Sequence, residues 1–291
     1  MLTLPVLRLL RESIPGAVIH VMGNRGIVEM ATASGHADDH LYLDTPGMAL
    51  MFAKGVPVPE ALAARLGQYK LVLSYLYDPD LIFREQMEKA GVKTFLDLPH
   101  RVVDGHGHAV EQLARPLERL AMFLPENAAP IWKIRPDISA MRVAIHPGSG
   151  SIHKNWAVEH WTKVGRLIVE QFPSAELAVI TGEAERERGV VDLVRDSWRG
   201  MRFVHWDALP LSELANRLGT CSHFLGHDSG ISHLAAACGV PCHVFFGPTD
   251  PDTWAPRGPM VKVHKPASCK LDTLSFEDGW ACLQSFLQTI R

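Results

Sequence analysis

A chain of 291 residues with 47% apolar and 21% charged side chains can bury two separate cores, and its composition excludes disorder, collagen and low-complexity architectures. The formal net charge of −3 at pH 7, with Lys and Arg scattered along the chain, gives no electrostatic ground for a nucleic-acid partner. The cysteines, Cys221, Cys238, Cys242, Cys269 and Cys282, form no CxxC pair and read as the reduced thiols of a cytoplasmic protein. Met1 to Pro5 has no basic n-region or small-residue cleavage site, and no apolar run reaches the ~18 residues of a membrane span. The expectation is a protein neither exported nor integral.

Pro5 to Ser13 has the spacing of an amphipathic helix, Ala17 to Met22 that of a strand, and Gln68 to Tyr75 that of a buried strand. Thr94 to Leu98 and Ala109 to Phe123 continue the alternation as strand and helix. Pro125 and Pro130 then interrupt it, which places a domain boundary near Arg135 to Ala140: residues 1–137 form one α/β domain and 138–291 the second. Beyond the boundary, Arg142 to Ile145 is a short buried strand running into a glycine turn and a helix from about Val158 to Phe172. The pattern repeats with Glu176 to Thr181 before Gly182, His223 to Gly226 before His227, and Cys242 to Phe246 before Gly247; about 276–291 reads as a closing helix. Parallel strands that carry Gly-rich loops at their C-terminal ends line those loops along one crevice.

Three loops carry chemistry. His146-Pro147-Gly148-Ser149-Gly150-Ser151, with Lys154 and Asn155-Trp156 following, combines small residues, a hydroxyl and a cation, which suits a diphosphate; a plain turn with a solvated lysine is the alternative. Gly226-His227-Asp228-Ser229-Gly230-Ile231-Ser232-His233 leads into a small-residue helix. Its Asp either caps the turn or holds sugar hydroxyls while the following amides meet a phosphate. Val244 to Pro256 supplies a proline-stiffened rim. Asp104-Gly105-His106-Gly107-His108 has two histidines one residue apart but no third ligand, so no metal is assigned.

Together HPGSGS at 146–151, KNW at 154–156, GHDSGISHLAAACGVP at 226–241 and FFGPTDPDTWAP at 245–256 resemble, in order and spacing, the paired signatures of glycosyltransferase family 9, the heptosyltransferase-like group. The stretch PVLRLLRESIPGAVI at 5–19 is similar to the first helix and second strand of that family's N-terminal domain. The resemblance implies the GT-B fold: α/β, with two Rossmann-like domains facing across a cleft, the last helix packing back on the first of them. It implies an inverting, metal-independent enzyme without cofactor. Carried to matching positions, it implies that Ser149 and Lys154 contact the donor's diphosphate, Asp228 the donor sugar, and Ser229, Gly230, Ile231 and His233 the phosphate. Glu183 resembles the family's ribose-binding acid and Leu209 its hydrophobic wall for the base.

The family also implies a partner set: a nucleotide-sugar donor, with ADP-heptose favoured by the DSGxSHL form of the motif, and a saccharide or lipid-linked acceptor in lipopolysaccharide synthesis. No nucleic acid belongs to it, and the protein is expected in the cytoplasm, with peripheral inner-membrane association. Family members carry a strand and a Gly-Asp turn immediately upstream of the segment matching Leu2 to Pro5, and that aspartate is their general base. The chain is expected to lack this first strand of its N-terminal domain, a start codon placed too far downstream being the favoured cause, and no catalytic residue is assigned. Two other readings share the architecture: a nucleotide-sugar 2-epimerase, and a non-catalytic nucleotide-sugar-binding protein.

Overall fold

A computed structural model describes residues 1–132 and 141–289. The boundary expected at Arg135 to Ala140 falls outside the described residues. The chain divides into two compact units: Val6–Leu124, and Met1–Pro5 together with the chain from Pro125 onward.

In the first part of the chain α1 (Leu4–Ser13), β1 (His20–Gly23), α2 (Arg25–Ala33), β2 (Asp39–Tyr42), α3 (Glu60–Leu66), β3 (Val72–Ser74), α4 (Ile82–Lys89), β4 (Phe95–Asp97) and α5 (Ala109–Ala114) follow in order. β1 pairs parallel with β2, and β3 with β4. No ladder among the described residues joins the two pairs. Leu41, Met48, Met51, Phe83, Met87 and Phe95 form the core of this unit.

Three expected elements are shorter than their hydrophobic patterns. The strand expected over Ala17 to Met22 begins only at His20, because Gly16 turns the chain with φ of 78°. The strand expected from Gln68 is confined to Val72–Ser74, since Gly67 caps α3 and the Tyr69 amide still donates to the Leu66 carbonyl at 3.1 Å. The helix expected over Ala109 to Phe123 is α only to Ala114 and continues as a 3-10 turn, Arg115–Leu120. Pro116 has no N–H to continue the α ladder, and Ala121 ends the segment in the left-handed region at φ 58°.

The second part has β5 (Arg142–Ile145), α6 (Val158–Gln171), β6 (Glu176–Thr181), α7 (Glu183–Glu187), α8 (Val190–Ser197), β7 (Phe203–Asp207), α9 (Leu211–Leu218), β8 (His223–His227), α10 (Gly230–Ala237), β9 (Cys242–Phe245), α11 (Pro251–Trp254), β10 (Val261–His264) and α12 (Phe276–Thr289). The six strands are parallel in the order β10-β9-β8-β5-β6-β7. That is the doubly wound arrangement, whose order reverses between β5 and β8, where open α/β sheets bind ligands. The central strands are apolar throughout, as strands covered on both faces must be: Val143, Ala144, Ile145, Phe224 and Leu225 are fully buried. Trp156, Trp161, Trp198, Phe245, Leu271 and Leu283 pack on one side of this sheet.

The core presses on its helices closely enough to require glycine. A Cβ at Gly165, inside α6, would overlap the Trp198 ring, and that ring is fixed by its Nε1–H donating to the Thr162 carbonyl at 2.9 Å. Gly165→Ala gains about 1 kcal/mol of helix propensity but overpacks a rigid wall at a cost of about 1–3 kcal/mol. A net loss is expected, read as a lower urea midpoint at unchanged m-value; a raised midpoint would show that Trp198 moves freely.

Candidate functional site

At the C-terminal ends of β5, β6 and β8 lies a pocket of about 350 Å³, within the range of small-molecule sites. One end is apolar, walled by Ile180, Trp206, Leu209, Leu211 and Leu214; the other gathers Ser149, Gly150, Glu183, Glu185, Ser229, Gly230 and Ile231. Six expected site residues, Ser149, Glu183, Leu209, Ser229, Gly230 and Ile231, therefore line one pocket. Lys154, Asp228 and His233 are not among the lining residues; His233 is buried within α10.

Ser229, and not Asp228, caps α10: its hydroxyl accepts from the Ser232 amide at 3.3 Å. Asp228 is thereby released from the capping role that its turn position suggests. Its Oδ2 accepts instead from Lys154 Nζ at 2.7 Å and from the Thr249 hydroxyl at 2.7 Å. Thr249, on the β9–α11 loop, has no role that the motif alone suggests. A hydroxyl and an ammonium on one oxygen hold the carboxylate in place, and Lys154 retains two other N–H donors.

The loop after β5 does not open α6 directly, as the sequence suggests, but passes through a 3-10 turn, Ile152–Lys154, and enters the helix at Ala157. Ser149 braces that loop: its hydroxyl lies 2.8 Å from the Ser151 carbonyl and 2.6 Å from Asn155 Oδ1, and is turned inward. Arg188 Nη1 donates to the Ser149 carbonyl at 3.0 Å. Gly148 packs directly on the Glu185 side chain, which leaves no room for a Cβ.

Glu185 joins Glu183 in the pocket, although the sequence pattern points to Glu183 alone. Glu183 is exposed at the start of α7, whereas Glu185 is 4% exposed. Glu185 Oε2 accepts from the Gly182 amide at 2.8 Å. The E-x-E spacing after Gly182 is the signal that could have found it: in the first turn of a helix, a carboxylate three residues past the cap reaches back to the cap amide. His108 likewise finds a local role, its Nδ1 capping α5 by accepting from the Val110 amide at 3.2 Å.

His227 ties the site together. Its Nε2 accepts from the Trp156 amide at 2.8 Å and from Trp161 Nε1 at 3.2 Å. Two donors on one ring nitrogen require that nitrogen to be unprotonated, which leaves the proton on Nδ1, 3.4 Å from the Gly148 carbonyl. Burial pushes His227 down to about 3, with nearby His146 adding to the shift. Burial likewise lowers His146 to about 4, against the opposing pull of Glu185.

Both histidines are thus neutral in the folded chain, while unfolded they titrate near 6.5. The unfolded state binds more protons between about pH 6.5 and pH 4, so stability falls as pH falls through that window. Each contributes a loss of about 2 kcal/mol between pH 7 and pH 5. A lower urea midpoint at pH 5 is expected, with a shallower pH dependence in His227→Gln; a midpoint flat from pH 7 to pH 5 would contradict the neutral assignment.

This topology recurs in solved structures. The chain matches the Escherichia coli ADP-heptose LPS heptosyltransferase II at a TM-score of 0.75 and 14% identity, over 99% of this chain and 94% of that one. It matches the E. coli heptosyltransferase WaaC with ADP at 0.74 and 16%, over 99% and 94%, and the glycosyl transferase family 9 protein from Veillonella parvula DSM 2008 at 0.72 and 16%, over 100% and 86%. These likenesses establish a shared GT-B fold. A search of curated protein sequences returns no match. The family model for "Glycosyltransferase family 9 (heptosyltransferase)" matches residues 97–277, a span that takes in the interrupted end of the first unit and every loop of the pocket; with more than half of the chain so matched, it belongs to glycosyltransferase family 9.

Proposed function

We propose that this glycosyltransferase moves a heptose from ADP-heptose to a saccharide or lipid-linked saccharide acceptor, with inversion, in the assembly of cell-envelope lipopolysaccharide. The observation that carries the reading is the two-ended pocket at the reversal of strand order. Its apolar end, from Ile180 to Leu214, suits a nucleobase, and its other end offers the amides of Gly230 and Ile231 at the N-terminus of α10. Exposed amides and the helix dipole favour an anionic group there. A further solved structure of this fold, the E. coli heptosyltransferase WaaC with ADP-2-deoxy-2-fluoro heptose, carries a donor analogue of the same class, which supports ADP-heptose over other nucleotide sugars.

In this reading the acceptor hydroxyl attacks the anomeric carbon as the bond to the diphosphate breaks, and the charge that develops on the leaving diphosphate is met by Lys154 and the α10 amides. Lys154 is 29% exposed at its side chain and already held by Asp228. Its remaining donors turn toward the phosphate without the carboxylate letting go, and Asp228 keeps its second oxygen for a sugar hydroxyl. Glu183 and Glu185 both line the pocket, and in this reading the exposed Glu183 takes the ribose. The acceptor and any peripheral association with the inner membrane rest on the family alone.

Calorimetric titration with ADP, UDP and GDP tests the pocket, and transfer from ADP-heptose to a truncated lipopolysaccharide core tests the reaction. Lys154→Ala is expected to weaken both ADP and ADP-heptose by about 1–3 kcal/mol, the cost of a lost charge-assisted hydrogen bond. Asp228→Ala should weaken ADP-heptose by a similar amount and ADP by less, because it removes both a sugar contact and the group that aims Lys154. No nucleotide binding at all, or unchanged affinity in both variants, overturns the assignment.

A further inference from the structure

Ser229 has one proton and two lone pairs, and three protein groups surround its oxygen: the Ser232 amide at 3.3 Å, Ser232 Oγ at 3.2 Å and His146 Nδ1 at 3.3 Å. Ser232 Oγ donates its own proton to the His227 carbonyl, so toward Ser229 it can only accept. The state of His146 then decides what the Ser229 hydroxyl has to offer. With the proton on Nε2, Nδ1 is an acceptor and takes the Ser229 proton into the protein. With the proton on Nδ1, His146 and the Ser232 amide fill both lone pairs of Ser229, and the hydroxyl proton is left for Ser232 Oγ or for a ligand in the pocket.

We propose that His146 is a positioning residue for the nucleoside diphosphate: by donating from Nδ1 to Ser229 Oγ, it turns the Ser229 hydroxyl into a hydrogen-bond donor aimed at the phosphate over α10. The inference rests on the donor reading of the pocket and adds to it a second group acting through Ser229. His146 and Ser229 both line the pocket, on the facing ends of β5 and β8. His146 is 5% exposed, and its own backbone amide is tied to the Leu225 carbonyl at 2.9 Å, so the ring is held across the strand pair that frames the site. In the free protein the Ser229 proton rests on Ser232 Oγ. An arriving phosphate oxygen is the stronger acceptor, since hydrogen bonds to a charged group are the stronger ones, and the hydroxyl proton turns from Ser232 Oγ to it while Nδ1–H of His146 and the Ser232 amide remain the two donors to Oγ.

The test uses four variants of the full chain, with ADP and adenosine as calorimetric probes and thermal melting as the control for folding. His146→Phe keeps bulk and removes the donor; it should weaken ADP about tenfold and leave adenosine unchanged. His146→Asn carries an amide N–H as many bonds from the backbone as Nδ1 and should restore ADP affinity, whereas His146→Gln, whose amide reaches the Nε2 level, should not. Ser229→Ala, which removes the hydroxyl itself, should lose at least as much as His146→Phe, and the double variant should lose no more than Ser229→Ala, because His146 acts through that hydroxyl. The imidazole ¹⁵N spectrum of the wild-type complex with ADP should report the Nδ1–H form. The inference is overturned by wild-type ADP affinity in a folded His146→Phe chain, by equal losses on ADP and adenosine, by additive losses in the double variant, or by the Nε2–H form in the complex. A wild-type chain that binds ADP no better than adenosine overturns the donor reading itself, and this inference with it.

Discussion

The site depends on a single nitrogen that has to stay unprotonated. Trp156 and Trp161 both direct an N–H at Nε2 of His227, so the imidazole is confined to one tautomer, and its remaining proton faces the loop after β5. Three pieces of the unit meet there: the end of β8, the first turn of α6 and the Gly-Ser loop after β5. The tryptophans anchor the constraint in the core, since Trp156 also donates from its ring to the Leu274 carbonyl at 2.9 Å and stacks on Phe276 of α12. A loop rich in glycine and serine has little apolar surface with which to order itself, and conformational entropy opposes its fixing. Here the order is imported from the core through hydrogen bonds that water cannot replace.

Electrostatics around the loop after β5 are arranged in the same pre-set way. Lys154 is not a free cation awaiting an anion; it is aimed by Asp228, which is itself held by Thr249. Since Asp228 is 7% exposed, the pair sits where solvent screens it poorly. In the reaction proposed above, a group already oriented in the free protein needs no reorganisation when charge appears on the leaving diphosphate, which is where such arrangements contribute to rate. Glu185 adds a buried carboxylate under the same loop, close enough to Gly148 that only glycine fits above it.

Much of this was legible in the sequence. The repeated strand, glycine turn and helix over 142–250 indicated a parallel sheet with its loops on one edge, and the motifs with the family resemblance singled out Ser149, Glu183, Leu209 and Ser229 to Ile231, which line one pocket. What escaped were decisions made by tertiary contacts. Nothing local distinguishes Asp228 from Ser229 as the helix cap, because both residue types are suited to it; the choice is made by Lys154, which stands 74 residues away in the chain. The tautomer of His227 is set by two tryptophans that belong to other elements. The shortened strands and the break in the helix after Ala114 are another matter: Gly16, Gly67 and Pro116 are all visible as punctuation, and at each of them local backbone chemistry outweighs the apolar periodicity that runs through it.

The doubly wound order has a consequence for how the protein is made. β5 is synthesised first among the strands of its sheet, yet its partner on one side, β8, begins about 80 residues later, with Val143 opposite His223. Contacts so distant in sequence form slowly. A chain leaving the ribosome N-terminus first therefore exposes the Gly-Ser loop and one apolar flank of β5 while β6, β7 and their helices assemble on the other. The binding crevice is not the nucleus around which this half of the protein grows; it is the seam that closes when the second half of the sheet arrives.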